Sequence, residues 1–125
     1  MQDFRKLEIY KKSVDFCVEV YRFSARLPES EKYGLISQMR RAACSTPLNI
    51  SEGAGTTTRK EFAQFISYAY RSVNEVLACF ELSEKLGLYQ EQNILNELCN
   101  EGISLSRMIY AFFKKLGAGT SDSLL

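Results

Sequence analysis

The sequence predicts an all-α protein, an antiparallel up-down four-helix bundle, and three observations carry that reading. Apolar residues recur at intervals of three and four, as in Leu7, Tyr10, Val14, Cys17 and Tyr21, which is the spacing of one helix face. Breakers are few and well separated: Pro28-Glu29-Ser30, the run from Gly53 to Thr58, Gly87-Leu88-Tyr89, and the segment from Gly117. The connections between them are short, which makes successive helices antiparallel neighbours. With 125 residues, 46% hydrophobic and 25% charged, the chain can close a single core without disulfide or metal staples.

The cuts place helices at about residues 5–26, 31–53, 58–86 and 90–116, one domain over 1–116. Helix 1 ends ahead of the Pro28-Glu29-Ser30 breaker. Ser30 before Glu31 opens helix 2. Thr58, three residues ahead of Glu61, has the capping-box arrangement that opens helix 3, and Gly87 supplies the left-handed residue that ends it. Pro47 falls inside helix 2, where a missing N–H and a crowded preceding turn cost about 3 kcal/mol, so a kink or a helix broken in two is expected there. Helix 4 runs to the Gly117-Ala118-Gly119 tail, and residues 117–125, with turn composition and little to bury, are expected to be disordered.

Stepping about 100° per residue gives helix 1 two apolar stripes. Leu7, Tyr10, Val14, Cys17 and Tyr21 form one, and Ile9, Phe16, Val20, Phe23 and Leu27 the other. Helix 3 carries a broad core face of Phe62, Phe65, Ile66, Ala69, Val73, Val76, Leu77 and Phe80, flanked by Tyr68, Cys79, Leu82 and Leu86. An isolated bundle uses one face per helix, so the second faces favour a homo-oligomer of closed symmetry; the alternative is that wide faces simply serve a fat core.

On helix 2, Leu35, Met39, Ala42, Ala43, Thr46, Ile50 and Gly53 share the core side, and their small side chains let a neighbouring helix come close. Beside them stand Arg41, Ser45, Asn49 and Glu52. Charges taken out of water must be paired, and Ser72, Asn74 and Glu75 of helix 3 are the expected partners. The reading is a structural polar network of Arg41, Ser45, Asn49, Glu52, Ser72 and Glu75 that fixes register. A competing reading makes Arg40, Arg41, Arg59 and Lys60 a nucleic-acid contact, with basic pairs lining up as stripes on the assembled oligomer.

Other chemistry finds little purchase. Histidine is absent, which removes the commonest metal ligand and the usual near-neutral acid or base. Glu52, Glu75 and Glu81 are scattered rather than grouped for a hard cation. The Gly/Thr turn from Gly53 lacks the preceding strand and Gly-Lys-Ser/Thr ending of a phosphate loop. Net charge is +1, which recruits no polyanion at long range. No enzyme, cofactor, metal or small-molecule substrate is therefore expected. Cys17, Cys44, Cys79 and Cys99 stand one per helix with no Cys-x-x-Cys pair, as reduced core or interface thiols. The N-terminus carries no secretory pattern and no apolar run reaches the ~20 residues of a membrane span, so a cytosolic protein with no membrane partner is expected.

One set of residues points further. Phe4-Arg5-Lys6-Leu7 with Lys11, Gln38-Met39-Arg40-Arg41-Ala42 with Ser45 and Pro47, Asn49-Ile50-Ser51-Glu52-Gly53, Arg59, Glu61-Phe62, Phe65, Ala69, Ser72, Glu75 and Leu86-Gly87 resemble the bacterial four-helix-bundle proteins encoded by intervening sequences of 23S ribosomal RNA genes. The likeness spans about residues 4–116 and is most specific at Asn49 to Gly53; Ser51 stands where that family usually has alanine. The resemblance implies a ring-like homopentamer without enzymatic activity. It also implies kinship with the strongly basic accessory proteins of diversity-generating retroelements, from which this near-neutral chain departs.

Overall fold

The computed structural model describes residues 3–117. Four α-helices account for most of them: α1 Glu8–Ser24, α2 Leu35–Ala54, α3 Arg59–Lys85 and α4 Gln92–Gly117, with short 3-10 turns at Phe4–Lys6 and Glu29–Glu31. No strand is present among the described residues. Around the ring, α1 neighbours α2 and α4, and α3 neighbours α2 and α4.

Helix ends follow local chemistry. Thr58, in extended conformation, accepts the Glu61 N–H on its hydroxyl at 3.1 Å and opens α3. Gly87 at φ +68° closes that helix. Its N–H reaches the Glu84 carbonyl and the Leu88 N–H reaches that of Ser83, which satisfies two carbonyls that the helix end would leave bare. Helix α2 starts later than Ser30 suggests. Residues Glu29–Glu31 form their own turn, Gly34 is the cap residue, and the Glu31 carboxylate accepts the Leu35 N–H at 3.3 Å.

Pro47 does not divide α2, which runs unbroken from Leu35 to Ala54 with the ring buried. The expected split fails because the flanking turns are held by tertiary contact: Met39, Ala43, Thr46 and Ile50 are at most 1% exposed. Packing of that face outweighs the local loss of one backbone bond. Gly117 belongs to α4, and the expected disordered tail otherwise lies outside the described residues.

The core gathers one face from each helix. Phe16 and Phe23 of α1 meet Phe80 of α3 edge-on at 6.2 and 5.2 Å, and Phe62 meets Phe112 of α4 at 5.4 Å. Of the two stripes read on α1, Ile9, Phe16, Val20, Phe23 and Leu27 are buried. Leu7, Tyr10, Val14 and Cys17 are half-buried and Tyr21 is exposed. Four hydroxyls are also fully buried. Ser13, Ser24, Thr46 and Ser83 each donate to a carbonyl of the preceding turn, so none reaches the core unpaired.

Candidate functional site

Two glycines set how closely the helices approach. A β-carbon on Gly53 would stand 2.8 Å from Phe62 Cδ1 and 2.9 Å from Phe65 Cβ; one on Gly102 would stand 2.8 Å from Leu77 Cδ2 and 2.9 Å from Phe16 Cζ. The first contact brings the end of α2 against the start of α3. Farther along, Ser45 meets Ser72 and Arg41 meets Glu75, so residue numbers rise along α2 as they fall along α3.

That register assembles most of the predicted polar network. The Ser72 hydroxyl donates to Ser45 Oγ at 2.9 Å, while Asn49 Nδ2 donates to both the carbonyl and the hydroxyl oxygen of Ser45, each at 2.9 Å. Arg41 Nη2 lies 3.3 Å from Glu75 Oε2, and Gln38 Nε2 donates to the same oxygen. The Arg41 side chain is 65% exposed, so water screens this ion pair and its worth is at most about 1 kcal/mol. Glu52 stands apart: it is exposed and, among the described residues, takes part in no ion pair. It lines an open groove of about 360 Å³ with Arg41, Cys44, Ser45, Leu48 and Asn49.

The basic residues do not share one face of the chain. Arg40 turns to α1, where Nε donates to Ser24 Oγ at 2.7 Å and the guanidinium lies 4.8 Å from the centre of the Tyr21 ring. Arg41, one residue on, turns to α3. Arg59 is half-buried at the start of α3, its Nε enclosed and without a hydrogen-bond partner among the described residues, and Lys60 beside it is exposed. A continuous Arg40-Arg41 stripe is therefore not built within one chain.

The seam between α1 and α2 holds what the sequence did not signal. Cys17 Sγ and Cys44 Sγ are 3.8 Å apart, and the Tyr21 hydroxyl lies 3.3 Å from Cys44 Sγ. Burial, joined by the Cys44 contact, pushes the Cys17 thiol up to about 12, and the Cys44 contact together with partial burial raises the Tyr21 hydroxyl. Residues from two different helices, 27 positions apart, meet here, and no spacing rule on one helix could have found them.

Exposed apolar side chains collect over two opposite seams. Tyr21, Leu48 and Tyr68 lie over α1, α2 and the adjoining edge of α3, with Leu48 62% exposed. Across the molecule, Ile103 and Tyr110 of α4 are exposed, and Tyr110 packs on Tyr70 at 5.6 Å and on Phe113 at 6.3 Å. The α4 half of this second surface escaped the sequence reading, which followed α1 and α3. Leu82 and Leu86 are exposed as well, whereas Cys79, read on the same flank, is buried.

Among the described residues no three His, Cys, Asp or Glu side chains are grouped to hold a metal ion. No described helix is long and apolar enough to cross a membrane. A second cleft, about 260 Å³, lies between α1 and α4 beside Phe23, Tyr89 and Glu101. Burial, with Glu19 and Asp15 nearby, raises the Glu101 carboxyl.

Comparison with known proteins agrees with this architecture. A crystal structure of a protein of unknown function from the S23 ribosomal protein family of Bacteroides thetaiotaomicron superposes with a TM-score of 0.77 at 20% identity, over 85% of this chain and 98% of that one. At that identity the likeness speaks for the fold alone. Among curated proteins nothing matches. The 23S rRNA-intervening sequence protein pattern matches residues 5–111, so the chain belongs to that family.

Proposed function

We propose that this protein is a non-enzymatic helical scaffold: an antiparallel up-down four-helix bundle that builds a closed homo-oligomer through its two opposite apolar surfaces. The observation that carries the reading is the pairing of two different faces on one chain, Tyr21-Leu48-Tyr68 and Ile103-Tyr110. A face that met its own copy would give a dimer; two unlike faces that meet each other give a ring when the rotation closes. Exposed Leu and Tyr side chains in groups are what such a contact desolvates. Five copies is the number that the family resemblance implies. The polar network around Ser45 and Ser72 serves this role by holding α2 and α3 in one register, so that Leu48 and Tyr68 are presented together.

The nucleic-acid reading has less support. Arg40 is committed to Ser24 and Tyr21, and a net charge of +1 offers no steering field. Arg41, Arg59 and Lys60 are the residues through which it would act on an assembled ring.

Size-exclusion chromatography with light scattering tests the scaffold directly, on the native chain and on Leu48→Glu and Tyr110→Glu. Each substitution is expected to shift the mass toward the monomer while leaving the helical circular dichroism intact. An unchanged mass in both variants would remove these faces from the account. Retarded migration of labelled RNA that is lost as salt rises would favour the nucleic-acid reading instead.

A further inference from the structure

The α1/α2 seam contains a thiol pair that the scaffold reading does not use. Cys17 and Cys44 approach to 3.8 Å between sulfurs, ordinary van der Waals contact for two thiols. A disulfide requires about 2.05 Å, so the sulfurs must close by about 1.8 Å, through rotation of the two side chains and a small helix adjustment. Cys79 lies on α3 and Cys99 on α4. Cys44 is half-buried and lines the open groove beside Leu48, so a small oxidant reaches it on a chain whose Leu48 surface is not covered by another copy. Two groups converge on its sulfur, the Tyr21 hydroxyl at 3.3 Å and the Cys17 thiol.

We propose that Cys17 and Cys44 are a reversible oxidation site, closed to a disulfide by a peroxide so that α1 is tied covalently to α2. Cys44, as the thiolate, attacks one peroxide oxygen. An S–O bond forms, the O–O bond breaks, and the departing hydroxide takes up a proton equivalent to the one Cys44 released. The Cys17 sulfur then attacks the Cys44 sulfenic sulfur. The S–S bond forms, the S–O bond breaks, and the second hydroxide leaves as water with the Cys17 proton. In sum, two thiols and one hydrogen peroxide give one disulfide and two waters, with two electrons passing from sulfur to oxygen.

The roles follow from placement. The Tyr21 hydroxyl and the Cys17 thiol both lie within hydrogen-bond reach of the Cys44 sulfur, and of the two cysteines only Cys44 lines the groove, which makes Cys44 the attacking sulfur. Cys17, 3.8 Å away and off the groove, serves as the resolving partner and gives up its proton as it attacks.

The test uses the full chain carrying Tyr110→Glu, which leaves the Cys44 groove intact and uncovered, fully reduced, then treated with a small excess of hydrogen peroxide and mapped by mass spectrometry without reduction. The expected product has lost two hydrogens, links the Cys17 and Cys44 peptides within one chain, and keeps two of its four free thiols. Dithiothreitol restores the starting mass. Cys17→Ser is expected to lose the link and to leave a Cys44 sulfenic acid that dimedone labels, while Cys44→Ser loses both link and label. Tyr21→Phe keeps the fold and slows linking. A product that carries added oxygen without a link, a link through Cys79 or Cys99, or a link between chains would overturn the proposal.

Discussion

At the scale of single residues, the tightest constraint is the absence of two methyl groups. Gly53 faces Phe65 Cβ, an atom tied to the α3 backbone, whereas Gly102 faces the ends of Leu77 and Phe16. Gly53→Ala therefore forces the α2 and α3 backbones apart and is expected to destabilise by about 2–3 kcal/mol in chemical denaturation. Gly102→Ala, whose neighbours can rotate, is expected to cost about 1 kcal/mol or less, because alanine's better helix propensity offsets part of the crowding. The first of these was legible: the small residues leading into Gly53 announce a close helix approach. The second was not, since Gly102 stands alone in its own stretch and its constraint comes from α1 and α3. Glu101 supplies a pH test. Its carboxyl is raised by burial and by Glu19 and Asp15, so the folded state binds the proton more tightly than the unfolded chain. Stability is then lost as pH climbs from the ordinary carboxylate value through the raised one. Glu101→Gln is expected to raise the melting temperature at pH 7 and to have a smaller effect at pH 4, measured by thermal scans at both.

Elements carry their own accounts. Gly87 has open space where a side chain would go, yet its φ of +68° is unfavourable for any residue with a β-carbon. Gly87→Ala is accordingly expected to cost about 1–2 kcal/mol through the backbone alone, read as a lower urea midpoint with an unchanged slope. That position and the Thr58 cap could be read from sequence because each is a local rule with a local cause. The start of α2 could not. Ser30-Glu31 offers a start signal, but Glu31 uses its carboxylate on the Leu35 N–H instead, and the helix begins behind Gly34. At Pro47 the helix does not split, because the buried face around the proline overrides its local cost. The α1/α2 pair would be altered most by the thiol link. Closing the chain between Cys17 and Cys44 is expected to stabilise the folded state by about 3–4 kcal/mol by the loop-entropy relation, raising the melting temperature of the oxidised protein by roughly 10 °C.

For the whole molecule, fold class and helix count were written in periodicity and breakers, whereas the site was legible only in part. Arg41 with Glu75 and Ser45 with Ser72 stand where the helix projection put them. Glu52 does not join them, because it faces the groove and water. Arg40 departs too, since one residue turns the side chain by about 100° and delivers it to α1 rather than to a shared basic face. The remaining question is what covers Tyr21, Leu48 and Tyr68 on one side and Ile103 and Tyr110 on the other. In the proposed scaffold each surface is covered by the opposite surface of another copy. Light scattering on the native chain at micromolar concentration asks this most directly. A particle of several chain masses, five times 14.3 kDa for the ring that the family resemblance implies, is the predicted result, and a 14.3 kDa monomer would contradict it.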